Sequence, residues 1–307
     1  MFKNTIQVYK GKSFINPNMK HISTTISSSS SSSKVIVFDL DETIGSFSDL
    51  DILWRGLLEY ATMNSYFSFN DTQENFNELF DLYPEFLRYG ILNILDFLYY
   101  KKVKGECDKV YIYTNNQLQK QWTNMIVQYL ENKQNVDGLF DDFICAFKIN
   151  KQIIDPRRTT NNKTYNELIR CLLVPKKTEI CFIDNTYYDK MKNDKVYYIQ
   201  PKPYYHKMKT YEIINRFVNS NFVNLCNTTI TRTILKTECS DFLYEWFIKN
   251  KSLNTSVKSD NEVEIDLAVS KQMMYHIREF FYMITKKNKT LKNVHNTVSS
   301  FTRKKRY

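Results

Sequence analysis

Residues 35–43 read Val-Ile-Val-Phe-Asp-Leu-Asp-Glu-Thr. The first four form an unbroken, mostly β-branched apolar run, which is typical of a strand buried on both faces of a parallel sheet. The run ends at Asp39, and an extended chain places residues i and i+2 on the same side. Asp39 and Asp41 therefore present two carboxylates together beyond the end of a buried strand, where open α/β sheets bind their ligands.

Similar apolar runs recur along the chain and predict further strands. They lie at Val110–Tyr113, Ile180–Ile183 and Val196–Ile199, with a weaker candidate at Phe143–Phe147. Helical periodicity between them predicts helices over residues 84–100, 118–130 and 165–173. Strands that alternate with helices in this way predict an α/β fold built on a doubly wound parallel sheet.

Composition divides the chain into four regions. Residues 34–204 form the predicted α/β domain, and within it the aromatic- and acid-rich residues 46–83 are expected to be a small insertion after the first strand. Residues 205–284 are predicted to be a helical C-terminal region, with candidate helices over 231–250 and along the apolar stripe from 265 to 284. Residues 1–33, which include a serine run, and residues 285–307 are predicted to be basic tails.

The charge of the chain is concentrated in these tails. The formal net charge is +10, and residues 1–38 and 285–307 carry basic side chains without a single acid. The folded body is therefore slightly acidic, which argues against a nucleic-acid-binding surface on the body itself. The tails keep open an interaction with nucleic acid or another acidic partner, and Arg303–Arg306 is a candidate nuclear address.

Hydropathy and cysteine spacing exclude other classes of protein. The longest apolar runs, such as Phe280–Ile284, are far shorter than the roughly 20 residues of a membrane-spanning helix, so no membrane association is expected. The six cysteines lie far apart without a CxxC pair, which argues against a zinc site or a disulfide scaffold. We therefore expect an intracellular location, in the cytoplasm or the nucleus.

The paired acids after the first strand also indicate a cation. Two carboxylates crowded at a strand end repel each other unless a cation binds between them. Hard oxygen ligands of this kind favour Mg²⁺ over softer metals. The sequence therefore predicts a magnesium site at Asp39 and Asp41.

Asp39-Leu-Asp-Glu-Thr43 resembles the DxDx[TV] signature of the haloacid dehalogenase (HAD) superfamily. Its DLDET form is similar to the FCP/SCP-type phosphatases, the NLI-interacting-factor-like family that acts on the C-terminal domain of RNA polymerase II. The resemblance covers roughly residues 35–200 and includes Leu87-Arg-Tyr-Gly90, where the family has an Arg-Pro-Gly helix start. It implies a HAD-like fold and a magnesium-dependent phosphatase that works through an aspartyl-phosphate.

The resemblance assigns catalytic and phosphate-binding roles. Asp39 would attack phosphorus, and Asp41 would protonate the leaving oxygen and later activate water. Thr114 follows the second buried strand, where the family places its phosphate-binding hydroxyl. Asn115 is the further phosphate-binding candidate, because it and Asn116 are expected to open a helix whose N-terminus faces the phosphate.

The remaining motif residues come later in the chain. Lys163 precedes a helix and resembles the family lysine that neutralises the phosphoryl oxygens, with Lys148 as a less suitable competitor upstream. Asp184, after the fourth strand, would hold the metal together with Asp39 and Asp41. Either Asn185 or Asp189 would complete the metal site.

Phosphoserine and phosphothreonine proteins are the substrates that the resemblance implies. A nucleotide or polynucleotide phosphatase is the alternative within the same chemistry. A catalytically silent HAD-fold module that binds a partner is the alternative from another class. Substrate specificity is expected to lie in residues 46–83 and in the C-terminal region, and the sequence does not predict the oligomeric state.

Overall fold

The computed structural model describes residues 5–14, 33–118, 120–226 and 230–283. The described strands are β1 Ile6–Lys10, β2 Lys34–Phe38, β3 Lys109–Tyr113, β4 Asp142–Ile144, β5 Lys148–Ile149, β6 Gln152–Ile153, β7 Glu179–Ile183 and β8 Val196–Pro201. The described α-helices are α1 Ser48–Met63, α2 Gln73–Asp81, α3 Ile91–Val103, α4 Lys120–Gln134, α5 Tyr165–Leu172, α6 Thr210–Asn219, α7 Phe222–Cys226, α8 Arg232–Lys249 and α9 Asp260–Tyr282. Short 3₁₀ turns lie at Lys12–Phe14, Pro84–Phe86 and Asp189–Met191. The predicted serine run and the basic tail 285–307 lie outside the described residues.

Six of these strands form one sheet in the order β1-β8-β7-β2-β3-β4. β2 pairs in parallel with both β3 and β7, β3 pairs in parallel with β4, and β7 with β8, whereas β1 is antiparallel to β8. The chain adds β3 and β4 on one side of β2 and then returns to add β7 and β8 on the other side. The sheet is therefore Rossmann-like and mostly parallel, and its winding reverses between β2 and β7, which is where such sheets bind ligands.

Both faces of the sheet are covered, as the continuous apolar runs predicted. Ile36 and Phe38 of β2 pack into a large core that also receives residues from α1 to α4 and from the C-terminal helices. Val35 and Val37 point to the other face and pack with residues of α5. All four side chains are fully buried, so β2 is the central strand around which the rest of the domain is built.

The prediction of a tail over residues 1–33 is wrong for residues 5–14, which the structure describes. Ile6–Lys10 is an edge strand that pairs with β8 from Ile6 opposite Pro201 to Lys10 opposite Tyr197. Phe14 follows in the 3₁₀ turn and is buried against Tyr197 and Phe280. The N-terminal segment thus belongs to the sheet and covers the edge of β8, which would otherwise be unpaired.

The helix predicted over residues 84–100 is interrupted. Pro84–Phe86 forms a separate 3₁₀ turn, and α3 begins only at Ile91. Gly90 lies between them with φ +69°, a left-handed conformation that glycine adopts without a steric penalty. The break places Leu87 and Arg88 against the loop that carries the paired acids, as described below.

The insertion and the C-terminal region pack against each other and into the main core. The described part of residues 46–83 forms α1 and α2, and the described part of residues 205–284 is helical from α6 to α9. Trp246 of α8 donates its indole N–H to the backbone oxygen of Ile52 in α1 at 3.0 Å. All six cysteines are buried and unpaired with one another. No helix in the described part of the chain combines the length and the apolar character needed to cross a membrane.

Candidate functional site

Three predicted site residues leave neighbouring strands at the same edge of the sheet. Asp39 follows β2, Asp184 follows β7, and Thr114 follows β3, and each extends the strand ladder by one backbone hydrogen bond. Their amides donate to Ile183 O at 2.8 Å, to Ile199 O at 3.1 Å and to Ile144 O at 2.9 Å, respectively. Because Phe38 is paired with Ile183, Asp39 and Asp184 lie side by side at the point where the winding of the sheet reverses.

Lys163 joins the two acids. Its Nζ donates to Asp39 Oδ1 and to Asp184 Oδ2, both at 2.6 Å. All three residues are buried, with exposed fractions of 2% for Lys163, 8% for Asp39 and 1% for Asp184. Lys163 directly precedes Thr164, whose side chain caps the N-terminus of α5. Lys163 follows β6 and precedes β7 in the sequence, and its side chain lies at the ends of the two central strands β2 and β7.

Burial and charge oppose each other at this cluster. Burial by itself would lower the pKa of Lys163, but the carboxylates of Asp184 and Asp39 outweigh it and hold the pKa well above its ordinary value. Burial also raises the pKa of Asp184 to about 7, with Asp39 adding to the effect and Lys163 opposing it. The lysine therefore remains charged and is the group that allows two acids to coexist inside the protein.

Asp41 is oriented by the loop that follows β3. Asn116 Nδ2 donates to Asp41 Oδ2 at 2.6 Å, and the backbone amide of Asn116 donates to Thr114 Oγ1 at 3.0 Å. Burial and the nearby Asp39 together raise the pKa of Asp41 to about 7, against the opposing effect of the Asn116 hydrogen bond. Asp41 thus has a carboxyl group that is held by Asn116 and keeps its proton more readily than an exposed aspartate.

Asn185 faces a group of oxygens. One of the two terminal atoms of its carboxamide points at the loop of the paired acids. This atom lies 3.3 Å from Asp39 Oδ2, 3.1 Å from the backbone oxygen of Asp41 and 2.9 Å from Thr43 Oγ1. As Nδ2, this atom donates to all three. As Oδ1, it is an oxygen that lies 3.3 Å from Asp39 Oδ2 and 3.1 Å from the Asp41 carbonyl, close to the separation of about 3 Å between adjacent octahedral ligands of Mg²⁺.

These oxygens fit a hard divalent cation. In the described part of the chain no three His, Cys, Asp or Glu side chains are placed together to hold a metal ion. A metal at this site would therefore need the Asp41 carbonyl and the Asn185 carboxamide besides the Asp39 carboxylate. Asp184 is close by, but its Oδ2 accepts from Lys163 and its Oδ1 from the Thr186 amide.

Comparison with protein-family models, curated proteins and solved structures gives no match.

The two open alternatives for site residues lie outside the cluster. Asp189 has a side chain that is 80% exposed and contacts Lys192 and the Tyr187 hydroxyl. Lys148 is exposed in the short strand β5, with its ammonium over the ring of Phe147. Asn185, rather than Asp189, and Lys163, rather than Lys148, are the residues that contact Asp39 and its loop.

Asn115 and Asn116 do not open the following helix, contrary to the prediction. They lie in an irregular loop after β3, and α4 is Lys120–Gln134. Asn115 accepts from Arg158 Nη1 at 2.7 Å and donates to Asn161 O at 2.9 Å and to the Tyr188 hydroxyl at 3.2 Å. Its side chain therefore ties loops together, and only its backbone remains a candidate contact for a phosphate.

Arg88 supports the loop of the paired acids through hydrogen bonds to its backbone. The sequence assigned this residue no role. It is 1% exposed, and its guanidinium donates to the backbone oxygens of Thr43 at 2.6 Å and Glu42 at 2.5 Å. Glu42 has φ +53°, an unusual conformation for a residue with a side chain, and the amide of Tyr204 also donates to its carbonyl. Arg88 belongs to the stretch that resembles the family's Arg-Pro-Gly helix start, which was the only available signal.

Arg158 is a second buried arginine that the sequence analysis missed. Its Nη1 donates to Thr114 O at 3.1 Å, to Asn115 Oδ1 at 2.7 Å and to Cys145 O at 2.9 Å. Its Nε contacts Glu167, which also accepts from the Tyr113 hydroxyl and from the Thr159 amide, both at 2.7 Å. Arg158 therefore links the loop of Thr114 to the segment that leads into Lys163.

For a reaction at the strand-end residues, replacing Arg158 with lysine is expected to reduce kcat/KM by about 10- to 100-fold, because a displacement of about 1 Å at a reacting group would have that effect. The lysine keeps the charge but loses the planar fork that reaches three acceptors. Stability should fall by about 1–3 kcal/mol from the acceptors left unpaired. Steady-state kinetics and thermal unfolding measure both effects.

Arg157→Lys is the matched control for this prediction. Arg157 contacts Asp142, Asp155 and the backbone oxygen of Phe143, and it makes no hydrogen bond to Asp39, Thr114 or Asp184. We expect its kcat/KM to stay within about twofold of the unmodified chain. Equal losses in the two variants would contradict the positioning role of Arg158.

Proposed function

We propose that this chain is a HAD-type phosphatase, a phosphoric monoester hydrolase that uses Asp39 as its nucleophile and depends on Mg²⁺. The observation that carries the proposal is the buried ammonium group of Lys163, shared at 2.6 Å by Asp39 and Asp184 at the reversal point of the sheet. Such a cluster supplies a nucleophile, a fixed positive charge and a second acid within one hydrogen-bonded unit.

A purely structural role explains this cluster less well. Burying three charged groups costs several kcal/mol per ion, and apolar side chains of similar volume commonly stabilise a core as well or better. Buried charged groups with shifted pKa values cluster at functional sites. The location beyond the carboxyl ends of parallel strands supports the same reading.

In the first step, Asp39 attacks phosphorus and the bond to the leaving oxygen breaks. The electron pair of that bond goes to the leaving oxygen, and Asp41 donates its proton to it. Asn116 keeps the Asp41 carboxyl pointing to the side of the leaving group through its 2.6 Å hydrogen bond. The Thr114 hydroxyl and the backbone amide of Asn115, in the loop that follows β3, would hold the phosphoryl oxygens.

In the second step, the aspartyl-phosphate is hydrolysed. Asp41, now a carboxylate, takes a proton from water, and the water oxygen attacks phosphorus. The bond between phosphorus and Asp39 breaks, which releases inorganic phosphate and restores the Asp39 carboxylate. Lys163 balances negative charge throughout, since phosphoryl transfer depends mainly on positioning and charge neutralisation.

Mg²⁺ bound by Asp39, the Asp41 carbonyl and Asn185, with Asp184 nearby, would offset the repulsion between the phosphate and the attacking carboxylate. Thr43 positions two of these groups, because its hydroxyl lies 3.3 Å from Asp39 Oδ2 and 2.9 Å from the Asn185 carboxamide. Phosphoserine or phosphothreonine proteins are the substrates that the resemblance to the FCP/SCP-type phosphatases supports.

Hydrolysis of p-nitrophenyl phosphate with Mg²⁺ and with excess EDTA tests the proposal. We expect turnover with Mg²⁺, its loss in EDTA and its return when Mg²⁺ is added back. The unmodified protein, checked for folding by circular dichroism, is sufficient for this measurement. A folded protein with no turnover under either condition would contradict the proposal and favour a binding module.

Asn185→Ala is expected to raise the Mg²⁺ concentration at half-maximal activity by about 10- to 100-fold. The substitution removes one candidate oxygen ligand, and Asp39 and the Asp41 carbonyl lose the side chain that helps to position them. Calorimetric titration with Mg²⁺ gives a second readout that does not need turnover. Asp189→Asn is the control, and its magnesium requirement should stay unchanged. The reverse pattern would move the metal role to Asp189.

A further inference from the structure

A buried ion pair of the C-terminal region lies next to the residues that support the loop of the paired acids, residues 39–45. Lys258 directly precedes the N-cap of α9 and contacts Asp266 within that helix, with 2.5 Å between its Nζ and the carboxylate Oδ2. The two side chains are 9% and 7% exposed. A buried ion pair is a weak source of stability, because the removal of both charges from water offsets most of their attraction. Its position therefore calls for an explanation other than the attachment of α9.

Lys258 also covers an aromatic ring that belongs to this support. Its Nζ lies 4.1 Å from the centroid of the Tyr204 ring, and the guanidinium carbon of Arg88 lies 5.4 Å from the same centroid. Tyr204 is fully buried, and its hydroxyl donates to Glu85 O at 2.7 Å. Two cations from distant parts of the chain thus contact one ring, at distances typical of cation–π interactions.

Tyr204 and Arg88 converge on one backbone group of the loop. The amide of Tyr204 donates to Glu42 O at 2.9 Å, and Arg88 donates to the same oxygen at 2.5 Å and to Thr43 O at 2.6 Å. Because Glu42 has φ +53°, its backbone has an unfavourable conformation that persists only where the surrounding structure imposes it. Glu42 directly follows Asp41, so a change of this conformation would move the loop that carries the paired acids.

Asp266 compensates both of the buried cations. Burial lowers the pKa of Arg88 to about 10, and Asp266 and Tyr204 oppose this effect. Burial also lowers the pKa of Lys258, which Asp266 raises and the charge of Arg88 lowers further. In the described part of the chain, Arg88 Nη1 is buried without a hydrogen-bond partner. Loss of the Asp266 charge would therefore leave two buried cations that repel each other, one of which holds the loop.

We propose that Asp266 and Lys258 are positioning residues for the loop of the paired acids. They hold Tyr204 and Arg88 in place, and these two residues hold the backbone of Glu42. The C-terminal region is then part of the support of the site, without supplying any of the proposed reacting groups. The kinetic part of this inference rests on the proposed phosphatase function, whereas the effect on the loop does not.

Backbone hydrogen exchange of the full chain, followed by peptide mass spectrometry, measures the loop without any need for turnover. Asp266→Asn keeps the shape of the side chain and removes its charge. We expect the amides of residues 40–46 to exchange at least about tenfold faster in this variant, because local opening of the loop becomes easier. The amides of β2 are the internal reference and should keep their rates.

Glu279→Gln is the matched control on the same helix. Glu279 forms an ion pair with Lys10 at 2.6 Å, and its other hydrogen-bond partners are Tyr197 and His276. The substitution therefore removes an ion pair that attaches α9 to the sheet but leaves the support of Glu42 unchanged. We expect exchange in residues 40–46 to stay within about twofold of the unmodified chain.

Kinetics with p-nitrophenyl phosphate separate positioning from a merely structural role. Asp266→Asn should lower kcat by about tenfold and change KM by less than about twofold, because the phosphate contacts proposed for Thr114 and Lys163 do not depend on this support. Lys258→Met should lower kcat to a similar extent. Lys258→Arg keeps a cation within reach of the Tyr204 ring, so its kcat should stay within about threefold of the unmodified chain.

The outcomes separate the two proposals. Unchanged exchange of residues 40–46 in Asp266→Asn, or an equal increase in Glu279→Gln, would overturn the positioning role. Faster exchange of the loop in Asp266→Asn, together with no turnover even in the unmodified chain, would support the positioning role and overturn the phosphatase. If Asp266→Asn does not fold, Lys258→Met gives the same test, with Lys258→Arg as its conservative control.

Discussion

Replacing Lys163 with methionine is expected to lower the free energy of unfolding at pH 7 by about 3–5 kcal/mol, because it leaves the charges of Asp39 and Asp184 buried without a partner. The deficit should shrink as the pH falls. The pKa of Asp184 is already raised to about 7 by burial, and loss of Lys163 removes the group that lowers it. Below that pKa the carboxyl is protonated and its burial costs less. Urea unfolding at pH 5 and pH 8 measures both effects.

The effect of Lys163 can be separated from that of an ordinary ion pair. Lys133→Met is the matched control, because the Lys133–Asp81 pair has a similar distance, 2.7 Å, but side chains that are 43% and 48% exposed. We expect it to cost less than about 1 kcal/mol. Adding Asp184→Asn to Lys163→Met should restore part of the lost stability, by about 1–3 kcal/mol. Equal costs for the two lysines would contradict the buried cluster.

Asp39→Asn is expected to reduce hydrolysis of p-nitrophenyl phosphate by at least about 1,000-fold, since an amide oxygen cannot form the covalent intermediate at a useful rate. The fold should be preserved, because the substitution is isosteric and Lys163 keeps its bond to Asp184. Kinetics with protein at high concentration measure the residual rate, and thermal unfolding checks the fold.

Glu42→Gln is the control within the same loop. Glu42 contributes its backbone oxygen to Arg88 and Tyr204, and these hydrogen bonds survive the substitution. Activity within about fivefold of the unmodified chain is expected. A residual Asp39→Asn activity close to that of Glu42→Gln would remove Asp39 from the chemistry.

The central strands could be predicted because continuous apolar runs in the local sequence indicate their burial. Val35–Phe38 has no polar residue in four positions, and only a strand covered on both faces accommodates this pattern at such a length. The strand ends then place Asp39, Thr114 and Asp184 at one edge without any further information. The same reasoning could not find β1, because Ile6–Lys10 becomes a strand only through its pairing with β8, about 190 residues later in the chain.

The residues that support the site were harder to predict. Arg88 and Arg158 are fully buried, whereas arginine is mostly exposed, and nothing in their immediate sequence indicates burial. Both bind backbone carbonyls of loops that are distant in sequence, so their role depends on tertiary structure alone. The break at Gly90 was likewise missed, because the apolar periodicity of residues 84–100 favours one longer helix. Asn115 and Asn116 were expected to open the helix predicted over 118–130, whereas α4 begins at Lys120.

Detection of a phosphoryl group on Asp39 tests the proposed mechanism most directly. Asp41→Asn should still form the intermediate from p-nitrophenyl phosphate, because this leaving group departs without a proton, but should hydrolyse it slowly for lack of a base. We predict that acid quenching followed by peptide mass spectrometry finds the mass of one phosphoryl group on the peptide that contains Asp39. A phosphoryl group on another residue, or none in a variant that still turns over, would contradict the account.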